Sequence, residues 1–465
     1  MNALEAQKTF LLLLASLAIL CVVVQSSLPL LIKRNLEHTL NHILQYTPGS
    51  RFIRGLRYLI NGPKTVQDGY SKAGGKPFLI ATPTNNHLLV SSPTHIEELV
   101  TAPSIQLSLH AVAKEMLQPK YTMRGFEWQD QRGVEGTGFV RALRSLLTAH
   151  LPQLLPKLQL IIRKGLRDEV AQYRRKDSGL NIARSDFADD QKAYCEAQNT
   201  PFLEAALRFP QDVIIAAELV RLMPNFLAPF VARLATQNHK SSKVMFDCLV
   251  PIVEQRLKCR SLNHKNSEKA PTSTFSLVDL CVFPEYFAPL REELEQNPLP
   301  VEGSTPRMDS FLKESMRYNS IDAITCRRKA LDTFTFSGGY TVKVGDWACV
   351  PQQAMMHDPQ YYENPAAFDG FRFLPKDGEK SGAKDMAQNE NPNMFTTSSP
   401  NWLIWGSGKT VCPGRFYGAA IMRLIMAEVL QSYDCSLRDP KLPRTMTWRS
   451  SIVPREGVIM LFQKR

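Results

Sequence analysis

The side chain best placed to bind a metal lies in WGSGKTVCPG, residues 405 to 414. There Cys412 is followed by Pro413 and Gly414, and then by an apolar-periodic stretch to Leu430 that reads as a helix. A cysteine at the threshold of a helix lies near unpaired amide donors and the positive end of the dipole, which lowers a thiol's pKa and favours the thiolate. Gly406, Gly408 and Gly414 let the backbone approach a flat ligand closely. Upstream, Glu314 and Arg317 in MDSFLKESMRYNS stand three apart on one helix face, and Arg372 lies in FDGFRFLP. Taken alone, such a pair reads as a surface ion pair worth little.

A flat ligand whose metal takes a cysteine thiolate is haem, where O–O cleavage is wanted. WGSGKTVCPG resembles, position for position, the cysteine-ligand loop of the cytochrome P450 haem-thiolate monooxygenases, with Trp405 where phenylalanine is commoner. MDSFLKESMRYNS resembles the family's Glu-x-x-Arg, and Arg372 matches the later loop arginine that completes the set. The resemblance implies a mainly α fold with small β-sheets (α+β), P450-like, with Cys412 as axial ligand of the haem iron. Gly408 and Gly414 then belong to the cofactor-binding loop. Glu314, Arg317 and Arg372 are structural, one carboxylate held by two guanidinium forks behind the haem. Either Arg327 or Arg328 resembles the arginine that pairs a propionate. Thr410 stands where members often carry Arg or His, and Lys409 is the substitute cation.

Two departures follow from the same resemblance. The spacing Trp128–Arg132 matches a propionate-holding pair, but Gly133, Gly136 and Gly138 argue against a helix there, so Arg141 and Arg144 are rival partners. In the family a long helix crosses the haem face, which takes about 30 residues at about 1.5 Å each. From Lys258 to Thr274 this chain has one large apolar residue, Leu262, and a proline. The region 258–282 therefore reads as shortened, with only Phe275–Val282 surviving as helix and Thr272, Ser273 and Thr274 in a solvated loop. The family's proton-delivering hydroxyl has no counterpart, and no catalytic residue is assigned.

The elements that position these groups are legible from pattern. A hairpin is expected from Pro77–Thr82 and His87–Ser91, a helix from Pro93, and helices over 139–170 and 201–259 interrupted at Arg208-Phe209-Pro210. Short strands are expected around Ser337-Gly338-Gly339 and Gly345-Asp346, and a two-stranded hairpin over Thr445–Phe462. Residues 376–394, charged and rich in Asn, read as a surface loop.

Composition limits the function classes. With 465 residues and 44% hydrophobic content the chain can build a large core. Net charge is +12 without a run of five basic residues or a finger motif, which speaks against nucleic acid and suits an anionic membrane surface or an acidic redox partner. Nine scattered cysteines without a CxxC pair read as reduced thiols rather than zinc ligands or a secreted disulfide framework. FLLLLASLAILCVVV, Phe10 to Val24, extends through Ile32 before Lys33 and Arg34, long enough to span a bilayer with a cytoplasmic body behind it; a cleaved signal peptide is the alternative. Asn35–Asn61, ending at Gly62-Pro63, reads as a basic segment lying on the bilayer.

The expected organisation is an anchor over 1–34 and a haem-thiolate domain over 35–465, single-pass in the endoplasmic reticulum membrane and facing the cytosol. The expected activity is oxidation of a hydrophobic natural-product intermediate by O2, with NADPH electrons delivered through a cytochrome P450 reductase, as in fungal-type members that tailor secondary metabolites. The shortened region keeps open a truncated or inactive P450-like protein and a haem-thiolate enzyme that does not rely on O2 activation.

Overall fold

The computed structural model describes residues 51–123, 142–176, 182–183, 200–245, 247, 272–374, 394–455 and 457–465. Helix α1 (Arg51–Ala73) leads into β1 (Phe78–Ala81) and β2 (Asn86–Leu89), then α2 (Pro93–Thr101), the two-residue β3 (Leu107–Ser108) and α3 (Leu109–Leu117). The middle is helical: α4 (Thr148–Lys176) is entered through the π-helical turn Ala142–Leu147, and the two-residue β4 (Ile182–Ala183) precedes α5 (Thr200–Leu222) and α6 (Ala228–Ala235). Helices α7 (Thr272–Val282), α8 (Phe287–Gln296) and α9 (Pro306–Tyr318) follow. Then come β5 (Thr325–Ala330), β6 (Phe334–Thr335), β7 (Thr341–Val342), β8 (Trp347–Val350) and α10 (Gln352–Met356). The chain closes with α11 (Arg415–Ser432), β9 (Tyr433–Leu437), β10 (Thr445–Trp448), β11 (Ser451–Pro454) and β12 (Met460–Lys464).

Local chemistry sets several of these boundaries. Ser92 caps α2, its hydroxyl accepting from the His95 amide at 3.3 Å with Pro93 in the first turn. Ser108 does the same for α3, accepting from Ala111 at 3.1 Å. The large sheet runs β1-β2-β8-β5-β3, with β2 and β8 parallel and the other neighbours antiparallel. Helix α11 is the centre of the helical layer. Every residue from Ala419 to Leu430 on it is buried, because α4, α7, α8 and α9 all pack around it. The charged members of that run are paired: Arg423 with Asp309 of α9, and Glu428 with Arg163 of α4 at 2.9 Å. A mixed fold of helices and small sheets is thus observed.

Several sequence expectations need correction. Helix α1 does not stop at Gly62-Pro63 but continues to Ala73 with a kink at Asn61 (φ −138°, ψ 50°). Proline at 63 is tolerated because it starts the second half, where a missing N–H is no loss. Nor does Pro210 interrupt the middle: α5 runs through it, its apolar face of Val213, Ala216, Ala217 and Val220 buried, so packing overrides propensity. Thr272, Ser273 and Thr274 form the first turn of α7 rather than a loop. The tail is a closed hairpin, β10–β11, plus a separate strand, since β12 pairs with β9 and β4 in a second sheet. The expected anchor over 1–34, the segment Gly133–Gly138 and residues 258–271 of the shortened region lie outside the described residues, as does all but residue 394 of the expected loop 376–394. Among the described residues no helix is long and apolar enough to cross a membrane.

Candidate functional site

Glu314 and Arg317 follow from the register of α9, where a spacing of three puts both on one face. Both are fully buried, and Arg317 donates from Nε and Nη2 to the two Glu314 oxygens at 2.7 and 2.8 Å. Arg372, from the loop after α10, donates from Nε to Glu314 at 3.0 Å, and the Asp369 amide adds a fourth bond at 3.0 Å. The remaining guanidinium protons go to carbonyls: Arg317 to Met356 and Pro365, Arg372 to Glu363 and Ala367. One buried carboxylate therefore ties the helix to a loop about 50 residues downstream, with its charge compensated.

The cysteine loop is fixed by backbone bonds. Trp405 C=O accepts from the Cys412 amide at 2.7 Å, Leu403 C=O from Gly406 at 2.9 Å, and Gly408 C=O from Val411 at 3.2 Å. These tight turns put Gly406 at φ +77° and Gly408 at φ +60°, where a side chain would be strained. Trp405 anchors the loop from outside, its indole N–H donating to Phe395 C=O at 2.9 Å. Cys412 itself is half-buried, two residues before Gly414, the N-cap of α11, which makes no side-chain capping bond. The helix thus opens beside the thiol without a side-chain cap.

Strand β5 delivers the two candidate arginines to opposite faces, as period-two alternation requires. Arg328 is buried against the cysteine loop, donating from Nη2 to Thr410 Oγ1 at 2.6 Å, while Thr325 donates to Leu403 C=O at 3.3 Å. Burial holds the Arg328 guanidinium below its ordinary pKa. Arg327 points the other way, to Asp322 and to Ser450 Oγ at 3.0 Å. Burial pulls its pKa down, but Asp322 more than offsets this. Lys409 and Gly408 are exposed at the loop's rim. Trp128, Arg132 and Arg141 lie outside the described residues, and Arg144 falls in the π-helical turn before α4.

The residues present fit a haem on the cysteine-loop side. A Cβ built on Gly414 meets nothing within 4 Å, and the first turn of α11, Arg415–Gly418, is half-buried whereas the rest of the helix is sealed in the core. The thiol, the uncapped helix start and the Arg328 side chain border the same loop. A thiolate and a propionate-pairing cation are the donor set that haem requires.

Sequence reasoning missed three buried polar groups. Asp279 on α7 accepts from Ser315 at 2.7 Å and Asn319 at 2.6 Å, and burial pushes its carboxyl up to about 7. Arg423 and Glu428 were detectable as lone charges within the apolar run IMRLIMAEVL. A third set surrounds His87, which stacks on Trp347 with ring centroids 4.7 Å apart; nothing in the local sequence flags it.

Residues 269–462 match the family model described as Cytochrome P450. Cytochrome P450 monooxygenase 103 of Postia placenta is 25% identical, with 89% of this chain and 91% of that protein covered. Cytochrome P450 monooxygenase janQ of Penicillium janthinellum is 25% identical over 88% and 91%, and penQ of Penicillium crustosum 24% over 86% and 87%.

Proposed function

Because the chain belongs to the cytochrome P450 monooxygenases, we propose that Cys412 is its haem-iron ligand and that it oxidises a hydrophobic intermediate of fungal secondary metabolism. The observation that carries the reading is the loop from Trp405 to Gly414: two glycines at positive φ, a half-buried cysteine and an uncapped helix start. When bound, haem with a thiolate ligand supplies O2 activation, inserting one oxygen atom while reductase-derived electrons and protons carry the other to water. Arg328 is the propionate partner in this reading, because it is the β5 arginine on the cysteine-loop face, and Lys409 can add charge at the rim. Glu314, Arg317 and Arg372 hold the loop behind the site rigid. The low-dielectric wall formed by Phe395, Trp405 and α11 keeps water from the thiolate side.

NADPH electrons through a P450 reductase, an anchor over 1–34 and a single catalytic domain over 35–465 at the endoplasmic reticulum membrane complete the proposal. The exposed apolar residues Phe226, Phe230 and Leu234 around α6, 67%, 70% and 83% exposed, support contact with a bilayer. The test is 18O2 labelling in membranes supplied with NADPH and a reductase. One labelled oxygen per product supports the reading, and label from water alone or no NADPH-dependent product refutes it.

A further inference from the structure

Around α5 and β5, charged groups from five elements converge. Glu218 of α5 accepts from Arg221 Nη1 at 3.0 Å and from Arg449 Nε at 2.6 Å. Glu115 of α3 accepts from Lys329 Nζ at 2.8 Å and lies 3.8 Å from Arg221. Asp322 pairs with Arg327. Four cations therefore share three carboxylates, and the arithmetic leaves one positive charge uncompensated among the described residues.

The unsatisfied atoms lie in the same place. Among the described residues, Arg221 Nε and Arg449 Nη2 are buried donors without an acceptor, and His87 Nδ1 is a buried ring nitrogen without a partner. The Arg221 and Arg449 side chains are 5% and 10% exposed. Burial, then Arg327, Arg449 and Arg221, hold His87 well below its ordinary pKa, so all three guanidiniums bear on one neutral imidazole. Buried N–H groups on charged side chains are normally paired, and a group of them left open is a site for an acceptor the protein does not supply. The spot lies between α5 and the turn joining β10 to β11 at Arg449–Ser450.

We propose that Arg221 and Arg449 form an anion subsite that binds the carboxylate of an otherwise apolar substrate. The inference rests on the monooxygenase reading for the substrate's role and narrows its class to amphiphilic carboxylic acids. Excess positive charge selects an anion, and the two open N–H donors suit an oxygen acceptor such as a carboxylate. The remainder of the substrate is left to apolar contacts.

The experiment compares binding of dodecanoate and dodecanol to the haem-loaded full chain in nanodiscs by equilibrium dialysis, with empty nanodiscs subtracted. Dodecanoate should bind at least about ten-fold tighter than dodecanol, as one charge-assisted contact allows. That preference should vanish in Arg221→Gln and Arg449→Gln, survive largely in Arg449→Lys, and be untouched in the exposed Arg438→Gln. Equal binding of the two ligands, or a preference that survives both glutamine variants, overturns the subsite. The reduced carbon-monoxide spectrum is recorded on each sample. Its absence beside an intact carboxylate preference defeats the haem-thiolate reading but not the subsite, and a normal spectrum without preference does the reverse. If Arg449→Gln fails to fold, Arg221→Gln and Arg449→Lys decide the matter.

Discussion

Replacing Glu314 with Gln probes the scaffold behind the cysteine loop. The carboxylate accepts four hydrogen bonds of 2.7 to 3.0 Å from Arg317, Arg372 and the Asp369 amide, with no solvent exposure. Bonds to charged groups contribute about 1.5–3 kcal/mol each, so a naive sum would exceed about 6 kcal/mol. The real loss is smaller, because Arg317 keeps the carbonyls of Met356, Pro365 and Ala367, and Arg372, 12% exposed, keeps those of Glu363 and Ala367 and some water. What remains is the penalty for two guanidiniums deprived of the carboxylate they share, about 3–5 kcal/mol. Urea unfolding followed by circular dichroism should show this loss, with haem content falling in parallel since Arg372 tethers the loop. Arg372→Lys should lose less, about 1–2 kcal/mol, because an ammonium keeps the charge but not the fork. An E314Q protein with wild-type urea midpoint and haem content would refute the reasoning.

Other outcomes follow from single contacts. The Asp279 carboxyl, pushed up to about 7 by burial, titrates near 4 in an unfolded chain, so the folded state holds the proton more tightly. Its contribution is complete below about pH 4 and is lost as pH rises through about 7, a change of about 4 kcal/mol. Asp279→Asn should therefore match wild type in urea near pH 3 and be the more stable of the two at pH 8. Gly62→Ala would put a Cβ 1.8 Å from the Arg449 carbonyl oxygen, forcing α1 and the β10–β11 turn apart. A loss of about 2–3 kcal/mol in the same assay is expected. Arg328→Ala should lower haem content measured as pyridine haemochrome, whereas Arg327→Ala should leave it near wild type, since the two arginines face opposite sides of β5.

The parts of the fold and site that could be read from sequence are those whose signal is local. The period of α9 placed Glu314 and Arg317 on one face, the turn residues between Ala81 and Asn86 marked a hairpin, and glycine spacing around Cys412 marked a loop before a helix. What was misread depends on partners far along the chain. Pro63 and Pro210 look like breaks, yet the surrounding helices are held by packing against distant elements. Met460 pairs with both Leu437 and Ala183, so no window around the tail could reveal that β12 leaves the hairpin for another sheet. Arg327 and Arg328 could not be told apart from the sequence, because only the sheet's register says which one faces Thr410. The Arg221–Arg449 cluster is assembled across 228 positions and left no local trace.

The most direct test of the central claim is the reduced, carbon-monoxide difference spectrum of membranes carrying the chain and its Cys412→Ala variant. A strongly red-shifted Soret band that disappears on substitution is the predicted result. A band that persists without Cys412, or its absence from a folded wild-type chain loaded with haem, would contradict the assignment of the thiolate ligand.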